Sequence, residues 1–240
     1  MTVLFMAIFG VVAGFVLDAL IARMAREPYE RGELEEDDLR LKKDGGLELS
    51  SEAGALKMPV LLTTRSYFRT LVVVAATTAI FATAGRQYHD TWDLLIVACY
   101  ASVLIICTAT DVLAYRVPNA VTYPAIVAAF AIGMIMPDAN RLDVAIGGLV
   151  FGGLLFVPSL ITGGAMGMGD VKLAFFVGFA LGLTFVVPAM LVMAISGGFA
   201  AAIMLITKLR GKGDPIPYAP FIAGGMLMVI LLQGTAFRAI

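Results

Sequence analysis

Eight apolar runs, each near the length of one membrane crossing, leave this chain few ways to fold. They lie at 2–22, 67–85, 93–110, 118–136, 142–162, 171–186, 188–207 and 219–237. About 20 residues of helix cover a hydrocarbon core, and within it a helix satisfies every backbone N–H and C=O from its own segment. The runs therefore predict an all-α polytopic integral membrane protein with about eight transmembrane helices. Composition agrees, at 60% hydrophobic and 15% charged residues, against roughly 45–50% and 25% in soluble domains. Mean hydropathy is +0.92. Pro188 marks either a turn or a kink in one long helix. The stretch 171–207 is 37 residues, nearly twice what one crossing needs, which favours the turn.

The organisation expected is a single integral membrane domain, 1–240, with one polar cytoplasmic loop, 23–66, inserted after the first helix. Arg23 and Arg26 follow the first run rather than precede it, so a cleaved signal peptide is not expected. Asp18 sits one turn from that run's polar end, where snorkelling or pairing accounts for it. Between Arg26 and Glu52 ten acidic residues face five basic ones, a net of −5. Such a stretch reads as a solvated loop with some helix that attracts a basic partner. With this loop in the cytoplasm, alternation puts 14 of the 17 Lys and Arg on the same side, leaving Arg86, Arg141 and Arg238 outside, as the positive-inside rule requires. Small residues four apart, at Gly10 and Gly14, Gly148 and Gly152, and Gly178 and Gly182, predict close helix packing.

Two aspartates stand where apolar runs end. Asp170 follows the glycine-rich turn Gly163-Gly164-Ala165-Met166-Gly167-Met168-Gly169, and Asp111 lies in Thr108-Ala109-Thr110-Asp111, 59 residues earlier. Ionisable groups in membrane segments are costly and mark function by default. The plainer reading of Asp170 is an N-cap of the following helix. By the alternation above, both carboxylates lie at cytoplasmic helix ends and can converge into an aspartyl-protease dyad. Like charges a few ångströms apart do not both ionise easily, so the pair shares a proton. One carboxylate then activates water while the other hydrogen-bonds the scissile carbonyl. Gly167 and Gly169 carry no side chain and would let an extended peptide lie against Asp170. Lys172 either acts on Asp170 as a nearby cation or snorkels.

Gly167-Met168-Gly169-Asp170-Val171-Lys172-Leu173 resembles the Gly-x-Gly-Asp motif of the type IV prepilin peptidases, which are membrane aspartyl proteases. Asp111 with Arg116-Val117-Pro118-Asn119 resembles that family's first catalytic aspartate and its basic-apolar-Pro-Asn signature. Pro215-Ile216-Pro217-Tyr218-Ala219-Pro220-Phe221 is similar to its Pro-Phe-Gly-Pro-Phe segment, with Tyr218-Ala219 in place of Phe-Gly. The resemblance covers about 93–237. It implies a membrane aspartyl endopeptidase that cleaves the short basic leader from prepilin-like or pseudopilin precursors at the cytoplasmic membrane face. Asp111 and Asp170 are then catalytic, and Gly167, Gly169, Lys172, Arg116, Pro118 and Asn119 contact substrate. The partners implied are such precursors and membrane lipid, without nucleic acid. Many bacterial members also N-methylate the product with S-adenosylmethionine and bind zinc through four cysteines in the first cytoplasmic loop. This chain has only Cys99 and Cys107, both in an apolar run, so no zinc is expected and the cysteines read as packing residues.

Other protease chemistries lack their residues. Glu35-Glu36-Asp37-Asp38-Leu39-Arg40 matches the Glu-Glu-x-x-x-Arg string of prenyl-protein endopeptidases, but their downstream histidines are missing. A Ser-His pair would have to join Ser196 to His89 across mismatched segments, and His-Glu-x-x-His is absent. The alternative from another class is a proton-coupled transporter or channel using Asp111 and Asp170 as relay groups. That reading calls for carboxylates at mid-membrane depth, whereas these two sit at the ends of runs.

Overall fold

The computed structural model describes residues 2–30, 58–136, 139–161, 167–207 and 217–234. Among them are seven helices and no strand: α1 Thr2–Glu30, α2 Met58–Gln87, α3 Thr91–Ala114, α4 Asn119–Ile135, α5 Arg141–Ile161, α6 Met168–Ile206 and α7 Ala219–Gln233. The chain is an all-α, multi-pass membrane protein. Among the described residues, five stretches are long and apolar enough to cross a membrane: Thr2–Ala25, Tyr67–Gln87, Thr91–Ala114, Arg141–Ile161 and Met168–Met204.

Fewer stretches reach this length than the eight runs expected, for two reasons. The runs at 118–136 and 219–237 give helices of only 17 and 15 residues, or roughly 26 and 23 Å at 1.5 Å per residue. The runs on either side of Pro188 both fall within α6, which consists of two helical segments meeting at a break at Gly182, six residues before that proline. With φ 70 and ψ 172, Gly182 occupies a region that is essentially closed to other residues. The break frees backbone donors, and Asp143 from the first turn of α5 takes them up. Its Oδ1 accepts from the Thr184 N–H at 3.2 Å and from Thr184 Oγ1 at 3.0 Å.

Helix extends into both ends of the stretch expected as a loop, since α1 runs to Glu30 and α2 begins at Met58. Residues 31–57, with most of the acidic charge, lie outside the described residues. α1 and α2 pack along each other, and Gly10 and Gly14 explain how closely. A Cβ on Gly10 would come within 2.9 Å of Thr78 Cα, and one on Gly14 within 2.8 Å of Val74 Cα. Near the end of this pair, Asp18 is held by Arg69 at 2.7 Å and by Thr70 Oγ1 at 2.7 Å. Of the two readings of Asp18, pairing is therefore the one seen.

α5, α4 and α7 all pack on α6, and α3 packs on α7. Leu104, Phe151, Phe176, Ile222 and Met226 are fully buried where these helices meet. Phe5, Phe15, Ile195 and Phe199 are exposed on outer faces, as suits a surface bathed in lipid tails. The far end of α7 is tied to the end of α2. Tyr88 donates its hydroxyl to the Ile230 carbonyl at 2.8 Å, and Gln87 Nε2 donates to Leu231 at 3.1 Å. Burial pushes the Tyr88 phenol above its usual range, so it stays a neutral donor.

Candidate active site

α3 ends one turn beyond Asp111, at a residue in an unusual conformation. Tyr115, with φ 51 and ψ 34, caps the helix by donating its N–H to the Asp111 carbonyl at 2.8 Å. Among the described residues it is the only non-glycine with positive φ, a conformation uncommon for a bulky side chain. From there the chain runs extended to Pro118, whose carbonyl receives the Val121 and Thr122 N–H groups at 3.1 Å and so opens α4. A short connector, Tyr115 to Pro118, thus joins the end of α3 to the start of α4.

Asp170 is the third residue of α6, one turn from Gly167, whose carbonyl accepts the Asp170 N–H at 3.1 Å. It is buried, and its Oδ1 finds no hydrogen-bond partner among the described residues. An N-cap would have that oxygen occupied by the backbone N–H two or three residues on. Asp170 is therefore not spent on capping. Gly163 to Met166 lie outside the described residues.

Two contacts bring the Asp111 connector onto the Asp170 turn. A Cβ on Gly169 would lie 2.8 Å from Val117 Cβ and 2.9 Å from its Cγ2, so Val117 fills the space that the glycine leaves. Lys172 Nζ donates to Asn119 Oδ1 at 2.8 Å and lies 4.7 Å from the centre of the Tyr123 ring. The first turns of α4 and α6 are thereby fastened together, and the cation of Lys172 is committed to Asn119 and Tyr123. Pro118 is half-buried beneath this contact, whereas Arg116 is exposed. Gly167 is exposed too, and a Cβ there would stand 3.4 Å from Asp170 Oδ2.

The third motif reaches the same place. The N–H of Ala219, first residue of α7, donates to Asp111 Oδ2 at 3.1 Å. Pro215 and Ile216 lie outside the described residues. Asp111 is itself buried. Two buried acidic groups from separate helices thus stand on turns that these contacts fasten together. Such a pair can hold and pass one proton, activate water and hydrogen-bond a carbonyl oxygen.

Sequence reasoning brought forward Asp111, Asp170, Asn119, Lys172 and the two glycines, and the structure gathers all of them within the first turns of α4 and α6 and the last turn of α3. It gave no role to Tyr115 or Tyr123, and it met Val117 and Ala219 only as members of the quoted motifs. For Ala219 a signal existed, since Pro220 just after it marks a helix start, where N–H groups are free to bind an anion. Nothing in the identity of a tyrosine signals a left-handed helix cap.

Residues 98–206 match the type IV leader peptidase family. Both aspartates fall inside that stretch, and the Ala219 segment lies beyond it. The chain is 31% identical over 158 residues to the prepilin leader peptidase/N-methyltransferase of Bacillus subtilis (strain 168), a match covering 65% of this chain and 62% of the relative. It therefore spans about three-fifths of the length of that curated protein. No solved structure matches.

Proposed function

From the match of residues 98–206 to the type IV leader peptidases, we propose that this chain is a membrane aspartyl endopeptidase that removes the short basic leader from prepilin-like or pseudopilin precursors. The observation that carries the reading is that Asp111 and Asp170, two buried carboxylates from separate helices, stand on turns held together by the packing of Val117 on Gly169 and by the hydrogen bond from Lys172 to Asn119. One carboxylate takes a proton from water as the water oxygen attacks the scissile carbonyl. The other hydrogen-bonds the carbonyl oxygen, and the pair later returns a proton to the departing amine. No nucleophilic side chain is needed.

The distribution of Lys and Arg supports placing this site at the cytoplasmic face of the cell membrane. Substrate contacts are proposed for Gly167 and Arg116, the exposed residues at the rim, with Gly169, Pro118, Asn119 and Lys172 shaping the wall behind them. The Bacillus relative's name joins cleavage to N-methylation. For this chain methylation is proposed only as a second activity drawing on S-adenosylmethionine, and proteolysis is proposed to need neither that cofactor nor zinc. The segment 23–66 contains no cysteine to serve as a zinc ligand.

The test uses Asp111→Asn and Asp170→Asn, which keep size and polarity but cannot exchange a proton. Each is expected to lower cleavage of a basic-leader precursor at least 10³-fold while still inserting and folding, and the double variant to be hardly worse, because members of one catalytic unit are strongly non-additive. Near-normal turnover by either well-folded variant removes that residue from the mechanism and reopens the relay reading.

A further inference from the structure

The two carboxylates are both buried, but they are not equivalent. Asp111 Oδ2 receives the Ala219 N–H at 3.1 Å, from the first turn of a 15-residue helix whose N-terminal end carries partial positive charge. A hydrogen bond to an ionised acceptor is stronger than one to a neutral group. Asp170 Oδ1 is buried with no partner among the described residues, and a charged oxygen left so is expensive, whereas a protonated carboxyl brings its own donor. Accounting for the other first-turn groups of α7 sharpens the contrast. Pro220 has no N–H, and those of Phe221 and Ile222 go to the Tyr218 carbonyl at 3.0 and 3.3 Å. Of these positions, only Ala219 turns its donor to a carboxylate. The anchoring of the far end of α7 by Tyr88 and Gln87 fixes the helix lengthwise and so holds that donor in place.

We propose that Asp111 is the base and Asp170 the acid of the pair, with the backbone N–H of Ala219 as the positioning group that sets this asymmetry. This rests on the peptidase reading above. The ionised Asp111 removes a proton from water while the water oxygen bonds to the scissile carbon. Asp170 gives its proton to the carbonyl oxygen as the C=O electron pair moves onto it, leaving a neutral gem-diol, a protonated Asp111 and an ionised Asp170. On collapse Asp111 passes its proton to the amine nitrogen as the C–N bond breaks, and a gem-diol hydroxyl returns a proton to Asp170. Both groups finish as they began, and one water has been consumed per bond cleaved.

The assignment distinguishes the two asparagine variants at the level of their residual activity. An amide at 170 still donates a hydrogen bond to the carbonyl oxygen, but an amide at 111 has no basic oxygen to take the water proton. Residual cleavage by Asp170→Asn is expected to exceed that of Asp111→Asn by roughly 10- to 100-fold, the value of one hydrogen bond to a developing charge. Equal residuals, or the reverse order, overturn the assignment but leave the peptidase reading standing, and near-normal turnover in both overturns that reading as well. The N–H itself is tested by replacing the Ala219 amide with an ester, using the hydroxy-acid analogue of alanine, so that only the donor is lost. The expected result is a roughly 10-fold fall in kcat with KM unchanged, while an ester at Ile222, which removes one bond to Tyr218, leaves both constants near normal. An unchanged kcat at 219, or a matching loss at 222, shows that the donor does not position Asp111.

Discussion

Gly169 shows how a single residue holds this site together. Its sequence context pointed to clearance for a peptide, but the space beside it is taken by Val117 from the connector after Asp111. The glycine therefore lets the two aspartate-bearing turns close on each other. A Cβ at 169 would be too near two atoms of Val117, and overpacking of this kind costs about 1–3 kcal/mol. Gly169→Ala is expected to lower cleavage by pushing the connector away, and Gly169→Val to lower it further. Shortening the neighbour is the informative control: Val117→Ala should restore much of the Gly169→Ala activity, measured on a leader-bearing precursor at matched protein amounts. If the double variant is no better than Gly169→Ala alone, the space serves something other than Val117. At this scale the acidic pair was legible because a carboxylate in an apolar chain is conspicuous. Ala219 and Tyr115 were not, because they act through a backbone N–H and a backbone angle that side-chain identity does not encode.

Among the helices, the long apolar runs were legible from length alone, and the point where α6 breaks was not. Pro188 drew attention because it removes a backbone donor, a loss one helical bond deep that a helix interior can absorb with a kink. Gly182 draws notice only as half of a close-packing pair with Gly178, although its conformation is what interrupts the helix. The partner that makes the break tolerable, Asp143, is 39 residues away on another helix and has no local signature. Gly182→Ala is expected to destabilise the protein by at least ~1–3 kcal/mol through its backbone angles. Its Cβ would also run into the Asp143 carboxylate. Asp143→Ala removes the acceptor for Thr184 and should cost about 1 kcal/mol, whereas Asp143→Asn should cost less because asparagine caps as well. Thermal unfolding in detergent ranks the three. A Gly182→Ala protein as stable as the parent means that the helix runs straight through that position.

For the molecule as a whole, charge is divided along the chain in a way that bears on what it binds. The helical body is apolar inside and out, while the stretch from Arg26 to Glu52 carries a net of −5. On the orientation proposed above, that stretch shares a side with Asp111 and Asp170. A short basic leader approaching the pair would therefore meet negative charge on the way. Attraction between exposed charges raises the local concentration of a partner without touching the bond-breaking step, and it fades once screening sets in over ~10 Å at 0.1 M salt. Neutralising Glu33, Glu35, Glu36, Asp37 and Asp38 together, to glutamine and asparagine, is accordingly expected to raise KM for a basic leader several-fold at low ionic strength and to spare kcat. The difference from the parent should shrink as salt is added, and a precursor whose leader has lost its basic residues should not register the change at all. These comparisons separate steering from catalysis, because a fall in kcat would place the acidic residues in the chemistry. A KM that ignores both the substitutions and the salt would show that the leader reaches Asp111 and Asp170 without help from this charge.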